Sequence, residues 1–284
     1  MKRKHKTKID WSAISIHISI FTLLVVSMIF IPEGILQSFL GIDLRKILKI
    51  ILALASIQVL GIVLLRWFNS HAGTALHGFL SGLISSTALT VTLSRKSNTM
   101  TSAQKSVESL SFLSATLAML VQGLFLALIT VPSIPFKVMS LFIFPIITTI
   151  LLMIRRSIHT KDVALPVEKI HLNWFSVLRL ALFICVILGL SSHAKEWVGD
   201  LGFKMVTFII SLFEAHGSII ASSQMFSSKS IDIPLYTTLI FLAILSSYVS
   251  KLGIVYIMGH SYLKRKITIW SSAILITLLL SYYL

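Results

Sequence analysis

Glu214 and His216 stand inside residues 208–224, FIISLFEAHGSIIASSQ, a stretch that otherwise reads as membrane-spanning. Ionisable groups at bilayer depth are costly, so they normally face a protein interior or a water-filled path and mark function. Lys251 is a third such group, in the apolar run that starts at Pro234. An earlier counterpart to the first stretch, residues 80–96 (LSGLISSTALTVTLSRK), offers Ser85, Ser86 and Thr87, and Gln122 lies in the run that follows. A carboxylate can titrate or hold a cation. An ammonium can balance that charge or hold an anion, and hydroxyls and an amide can coordinate an ion or small polar solute. These seven side chains are the candidate binding residues.

Each has a plainer alternative. Glu214 could be a hydrogen-bonded packing residue, and Lys251 could snorkel toward Gly259. Serines and threonines often bond back to helix carbonyls and pack closely. His216 follows Glu214 by two residues, which on a regular helix is a rotation of roughly 200°. The two share a cavity only if the helix breaks, and Gly217 permits that. Otherwise His216 bonds a neighbouring helix. In straight spans Glu214 and Lys251 would differ in height by roughly 9 Å, so a direct ion pair stays open. The sequence shows no phosphate loop, triad order or redox motif. His159 and His171 lack a metal-ligand spacing. We expect no catalytic residues, metal or cofactor. An enzyme is the weakest reading, for want of a nucleophile-base pair.

The elements that must position these residues are helices in a membrane. Of 284 residues 56% are hydrophobic and 12% charged, and mean hydropathy is +0.92. A soluble domain carries about twice that charge. Runs such as 47–65 do not alternate, which excludes barrel strands. The net charge of +15 would suggest nucleic acid in a soluble protein. Here most basic residues end apolar runs, where they anchor to headgroups, so no nucleic-acid partner is expected. Cys185 is the single cysteine, so no intrachain disulfide forms. The tail MKRKHKTK precedes an apolar run too long for a signal peptide and reads as the start of a retained helix.

The expected fold is all-α and polytopic, with about nine spans of roughly 20 residues each. Runs at 11–31, 47–67, 78–94, 107–131, 136–154, 174–190, 203–225, 234–259 and 267–282 supply them, with an interfacial segment at 33–45. Gly78, Ser81, Gly82 and Ser85 crowd the third run, so it should be buried against other helices. A shift of 129 positions lays the second half on the first: Ser85 meets Glu214, Thr87 meets His216, and Gln122 meets Lys251. The expected organisation is an N-terminal part (1–46), repeat 1 (47–155), a linker loop (156–172) and repeat 2 (173–284). Four spans per repeat would make the copies parallel, with an axis along the membrane normal. Charge does not orient such a protein: nine spans put 12 basic residues on one side and 11 on the other. Either the first helix decides, as it usually does, which places the N-terminus in the cytoplasm, or one segment is re-entrant; the first is the expectation.

These motifs resemble the membrane domain of unknown function usually fused C-terminal to an MgtC/SapB-type domain. Its first repeat reads like G-L-x-S-S-T-A-x-T followed by a basic pair, standing here as Gly82-Leu83-Ile84-Ser85-Ser86-Thr87-Ala88-Leu89-Thr90 and Arg95-Lys96. The acid and the Asp or His of its second repeat stand as Glu214-Ala215-His216-Gly217. Its S-N-x-x-x-K-x-G pattern stands as Ser246-Ser247-Tyr248-Val249-Ser250-Lys251-Leu252-Gly253. Glu214 replaces the usual Asp, Ser247 an Asn, and Gln122 a common Arg. No MgtC-like part is expected in this chain. The resemblance implies a fold and a candidate site, and transport by association.

The expected function is a transporter or channel-like protein for an ion or small polar solute, in the cell inner membrane. Its partners are the lipid bilayer and the unknown solute, and homo-oligomer formation is left open. The alternative is a non-transporting subunit that scaffolds or regulates another membrane protein.

Overall fold

The computed structural model describes residues 44–68, 73–157 and 199–284, together with Thr22 and Val26. The expected run at 11–31, most of the segment at 33–45, nearly all of the linker at 156–172 and the run at 174–190 lie outside the described residues. Among the described residues the chain is wholly helical, with eight helices. They are α1 (Leu44–Phe68), α2 (Thr74–Lys96), α3 (Ser102–Thr130), α4 (Phe136–Ser157), α5 (Gly199–Ser211), α6 (Ala215–Ser227), α7 (Ile233–Met258) and α8 (Ser261–Tyr283). Five of them, α2, α3, α4, α7 and α8, are long and apolar enough to cross a membrane.

Side-chain caps fix several of the boundaries. Thr101 and Gln104 form a capping box at the start of α3. Asp232 accepts from the Leu235 N–H at the start of α7, and His260 accepts from Tyr262 N–H at the start of α8. Between α3 and α4 the turn Val131–Pro135 is the tight hairpin its two prolines demand.

Hydrogen bonds between helix ends define two faces of the bundle. On face A, Asn98 Nδ2 donates to the Met258 carbonyl (2.8 Å) and His260 N–H to Ser97 Oγ (2.8 Å). Arg156 donates there to Ser106 Oγ and to the Tyr262 hydroxyl. Face A thus carries the ends of α2, α4 and α7 and the starts of α3 and α8. On face B a cavity of about 660 Å³ joins the α3–α4 turn, the start of α5, the end of α6 and the start of α7.

Two helical segments do not cross. α5 and α6 have 13 residues each. Laid end to end they would separate Asp200 from Ser227 by roughly 40 Å. Instead both residues line the face-B cavity, so the segment enters from face B, turns at residues 212–214 and returns. The expected span at 203–225 is therefore a re-entrant hairpin.

α2 behaves likewise from the other side. A Cβ on Gly78 would lie 2.7 Å from Ser111 Cα, and one on Gly82 would lie 2.5 Å from Ala115 Cα. Both positions advance together, so the first half of α2 runs parallel to α3. Its second half ends on face A, where α3 begins, and so runs antiparallel to α3. The reversal is at Ser85, whose backbone is extended (φ −166°, ψ 103°). The expected burial of the Gly78–Gly82 edge is borne out, but the expected straight span at 78–94 is not. The reason is that the small residues seat one arm of a hairpin.

α4 and α8 pack antiparallel. Ser140, early in α4, donates to the Ser281 carbonyl, late in α8 (3.4 Å), whereas Arg156 and Tyr262 meet at the other end. The expectation that the two halves point the same way fails on this pairing. It had counted each special segment as a crossing, which inverts the direction of everything after it.

α7 sits at the centre, touching α2, α4, α5, α6 and α8. Tyr236, Leu239, Ile240, Ala243, Ile244 and Tyr248 on it are almost wholly buried. Exposed apolar stripes, such as Leu201, Met205 and Ile209 of α5 with Phe213 in the turn after it, form an outer surface suited to lipid.

Candidate functional site

The two hairpin turns carry the predicted polar residues because each turn is a helix start. A starting helix leaves its first N–H groups without partners. Glu214 has an extended backbone (φ −152°, ψ 96°) and caps α6, accepting the His216 N–H on Oε1 (3.2 Å). Ser85 caps the second half of α2 with the Ala88 N–H donated to its Oγ (3.2 Å). The two turning residues are 129 positions apart and share one backbone conformation. Depth follows from the arm lengths. The turn at Ser85 lies roughly 16 Å from face A and that at Glu214 roughly 20 Å from face B. In a hydrocarbon core of about 30 Å both tips lie deep.

A break brings Glu214 and His216 together as expected, but it falls at residues 212–214, and Gly217, where the sequence allowed it, is helical and buried within α6. His216 Nδ1 lies 3.0 Å from Glu214 Oε1, and Nε2 lies 3.3 Å from the Met119 carbonyl of α3. His216 is 12% exposed and Glu214 31%. The next element over is Lys251 on α7, 1% exposed. Its ammonium donates to Ser247 Oγ (2.6 Å), one turn back, and to Met119 Sδ (3.0 Å). Ser247 also donates to that sulfur (3.0 Å). Lys251 and Glu214 act on each other electrostatically without a direct ion pair. Lys251 is buried rather than snorkelling.

The remaining predicted residues make no hydrogen bond to this cluster. Gln122 is one turn beyond Met119, 3% exposed, and its Oε1 has no hydrogen-bond partner in the protein. Ser86 is buried, its carbonyl accepting from Thr90 Oγ1 (2.8 Å), and Thr87 is half-buried. Among the described residues no hydrogen bond links Ser85, Ser86, Thr87 or Gln122 to the Glu214–Lys251 cluster. Sequence reasoning missed Met119, which touches both His216 and Lys251. A methionine in an apolar run carries no signal of such a role. Ser247 had one, four residues before a buried lysine on a helix. Among the described residues no His, Cys, Asp and Glu cluster could hold a metal ion.

Chemically the site offers a carboxylate–imidazole pair, a buried ammonium and the first turns of two half-helices. No curated protein and no solved structure matches the chain. Residues 52–259, which include both hairpins and Lys251, match the family described as Domain of unknown function (DUF4010). The chain belongs to that family.

Proposed function

We propose that this protein is a carrier for an ion or small polar solute, built from two inverted copies of one helical unit. One observation carries the reading: two helical hairpins, bent at matching residues, bring Glu214 and His216 deep into the bundle beside the buried Lys251. Discontinuous helices meeting near the midplane are a recurrent way to build transport sites, since unwound termini replace part of a solute's hydration shell.

The inverted copies are supported by contacts that come in matched pairs. α3 touches α6 as α7 touches α2, and α4 touches α7 as α8 touches α3. α4 against α8 is its own counterpart. There Thr148 Oγ1 donates to Thr277 Oγ1 (3.3 Å), residues 129 apart. A pseudo-two-fold axis through that contact lies in the membrane plane. Each copy would have three crossing helices and one hairpin if the apolar sequence run at 174–190 is read as a crossing.

Charge then orients the protein. If the apolar runs at 11–31 and 174–190 are also read as crossings, 16 Lys and Arg fall on the side of face A and seven on that of face B, in place of the near-balance that nine spans give. On that count the positive-inside rule makes face A the cytoplasmic one.

Proteoliposome flux of radiolabelled sodium, potassium, chloride, phosphate and sulfate tests the reading. Wild type should move at least one of them, and Lys251→Met should reduce that flux at least tenfold. Equal flux in the variant would remove Lys251 from the pathway, and a tight, ion-impermeable protein would sink the carrier.

A further inference from the structure

The protons in the Glu214–His216 pair decide what charge the site seeks. A backbone carbonyl can only accept, so the contact of His216 Nε2 with the Met119 carbonyl (3.3 Å) requires a proton on Nε2. The 3.0 Å contact of Nδ1 with Glu214 Oε1 requires a second proton between those atoms. Held on either side, that proton leaves the pair neutral: carboxylate with imidazolium, or carboxylic acid with imidazole. Lys251 is the other charge that acts on Glu214 among the described residues. Met119 is the α3 residue that touches the pair, and it does not titrate. The titratable groups of α3 and α5, Lys105, Glu108, Asp200 and Lys204, stand in the first two turns of those helices, away from the tip.

With the pair neutral, the Lys251 ammonium is buried without a counterion. Two of its three donors are used, one of them on sulfur, a weak acceptor. An uncompensated charge at this depth is expensive, and an anion removes the expense. With the pair deprotonated, Glu214 itself balances Lys251 and an anion is repelled. Two states are therefore neutral: proton and anion both bound, or both absent. The states with one of the two carry net charge across a low-dielectric core.

We propose that the site takes a small singly charged anion together with one proton. The proton goes to the Glu214–His216 pair and the anion to Lys251, so that the loaded and empty forms are both electroneutral. This names the cargo of the carrier proposed above and rests on that reading for movement, but not for binding. No bond between heavy atoms changes: the proton adds to the pair on loading and leaves it on release.

Binding and flux separate the two claims. Purified protein in detergent is heated with chloride, bromide or nitrate across pH, and the same anions are used for flux under an inward proton gradient. At least one anion should raise the melting temperature. Its apparent affinity should weaken about tenfold per pH unit once the pair loses its proton. Glu214→Gln should keep anion binding while flattening that pH dependence, and make anion flux electrogenic. Lys251→Met should lose anion binding while remaining folded. Anion binding without flux overturns the carrier and leaves the proton-linked anion site. Sodium or potassium flux with no anion effect does the reverse. Anion binding that ignores pH in wild type, or survives Lys251→Met, overturns the inference, as does stabilisation by no anion at all.

Discussion

The two hairpins share a turn and differ in how they are held. The first, α2, is pressed onto α3 through Gly78 and Gly82, whose missing side chains let backbone meet backbone. At the matching positions of the second, 129 residues on, stand Thr207 and Ser211, both buried. Its inner arm α6 meets α3 through side chains: Ile219 Cδ1 lies 3.0 Å from where a Gly123 Cβ would be. The first also carries a neutral cap, Ser85, and the second a charged one, Glu214. One hairpin is fastened and polar, the other looser and ionisable. On the proposed reading, two copies of one unit divide the work between a fixed wall and a responsive one.

That division can be broken at several strengths. The largest effect is expected on transport from Lys251→Met, at least tenfold, with the fold retained. Replacing a buried charge by an apolar chain of similar length is often neutral or stabilising, by about 1–4 kcal/mol. Thermal melting read beside flux checks both halves. Next, Gly82→Ser should destabilise the protein by about 1–3 kcal/mol, because the new Cβ meets the backbone of Ala115. The mirror change, Ser211→Gly, should cost no more than about 1 kcal/mol, since its hydroxyl has no partner. Equal costs in denaturation would erase the distinction between the hairpins. Ser85→Ala should cost about 0.5–2 kcal/mol through loss of a helix cap, without altering the pH profile of flux. A changed profile would show that the first hairpin also takes part in proton handling. Smallest is the coupling of Thr148 with Thr277, about 0.6 kcal/mol in a double-mutant cycle with valine. A value of zero would remove the contact on which the pseudo-two-fold axis is drawn.

Much of this was legible in the sequence. The helical class, the tight turn at Val131–Pro135 and the close-packing edge at Gly78–Gly82 each left a local signal, and Gly217 hinted at a break that falls a few residues earlier, at 212–214. What the sequence hid was direction. A 23-residue apolar segment such as Thr74–Lys96 has the same length and composition whether it crosses or doubles back. Ser85 is no rarer in a straight helix than at a turn. The near-tie in charge, 12 against 11, was the one sign that a straight-through reading was wrong. Met119 was illegible for another reason: its carbonyl and sulfur matter only because α6 and α7 arrive beside it from distant parts of the chain.

The 13-residue arms of the second hairpin have a consequence for how the protein is made. Each is roughly 20 Å long, too short for an insertion machine to release as a finished span. The central helix α7, on which both arms lean, is synthesised after them. The hairpin must therefore wait near the bilayer surface until α7 is in place, then slot into a prepared groove. Assembly cannot follow the order of translation. A chain stopped before Ile233 should leave residues 199–227 open to protease, and one extended through Met258 should close them.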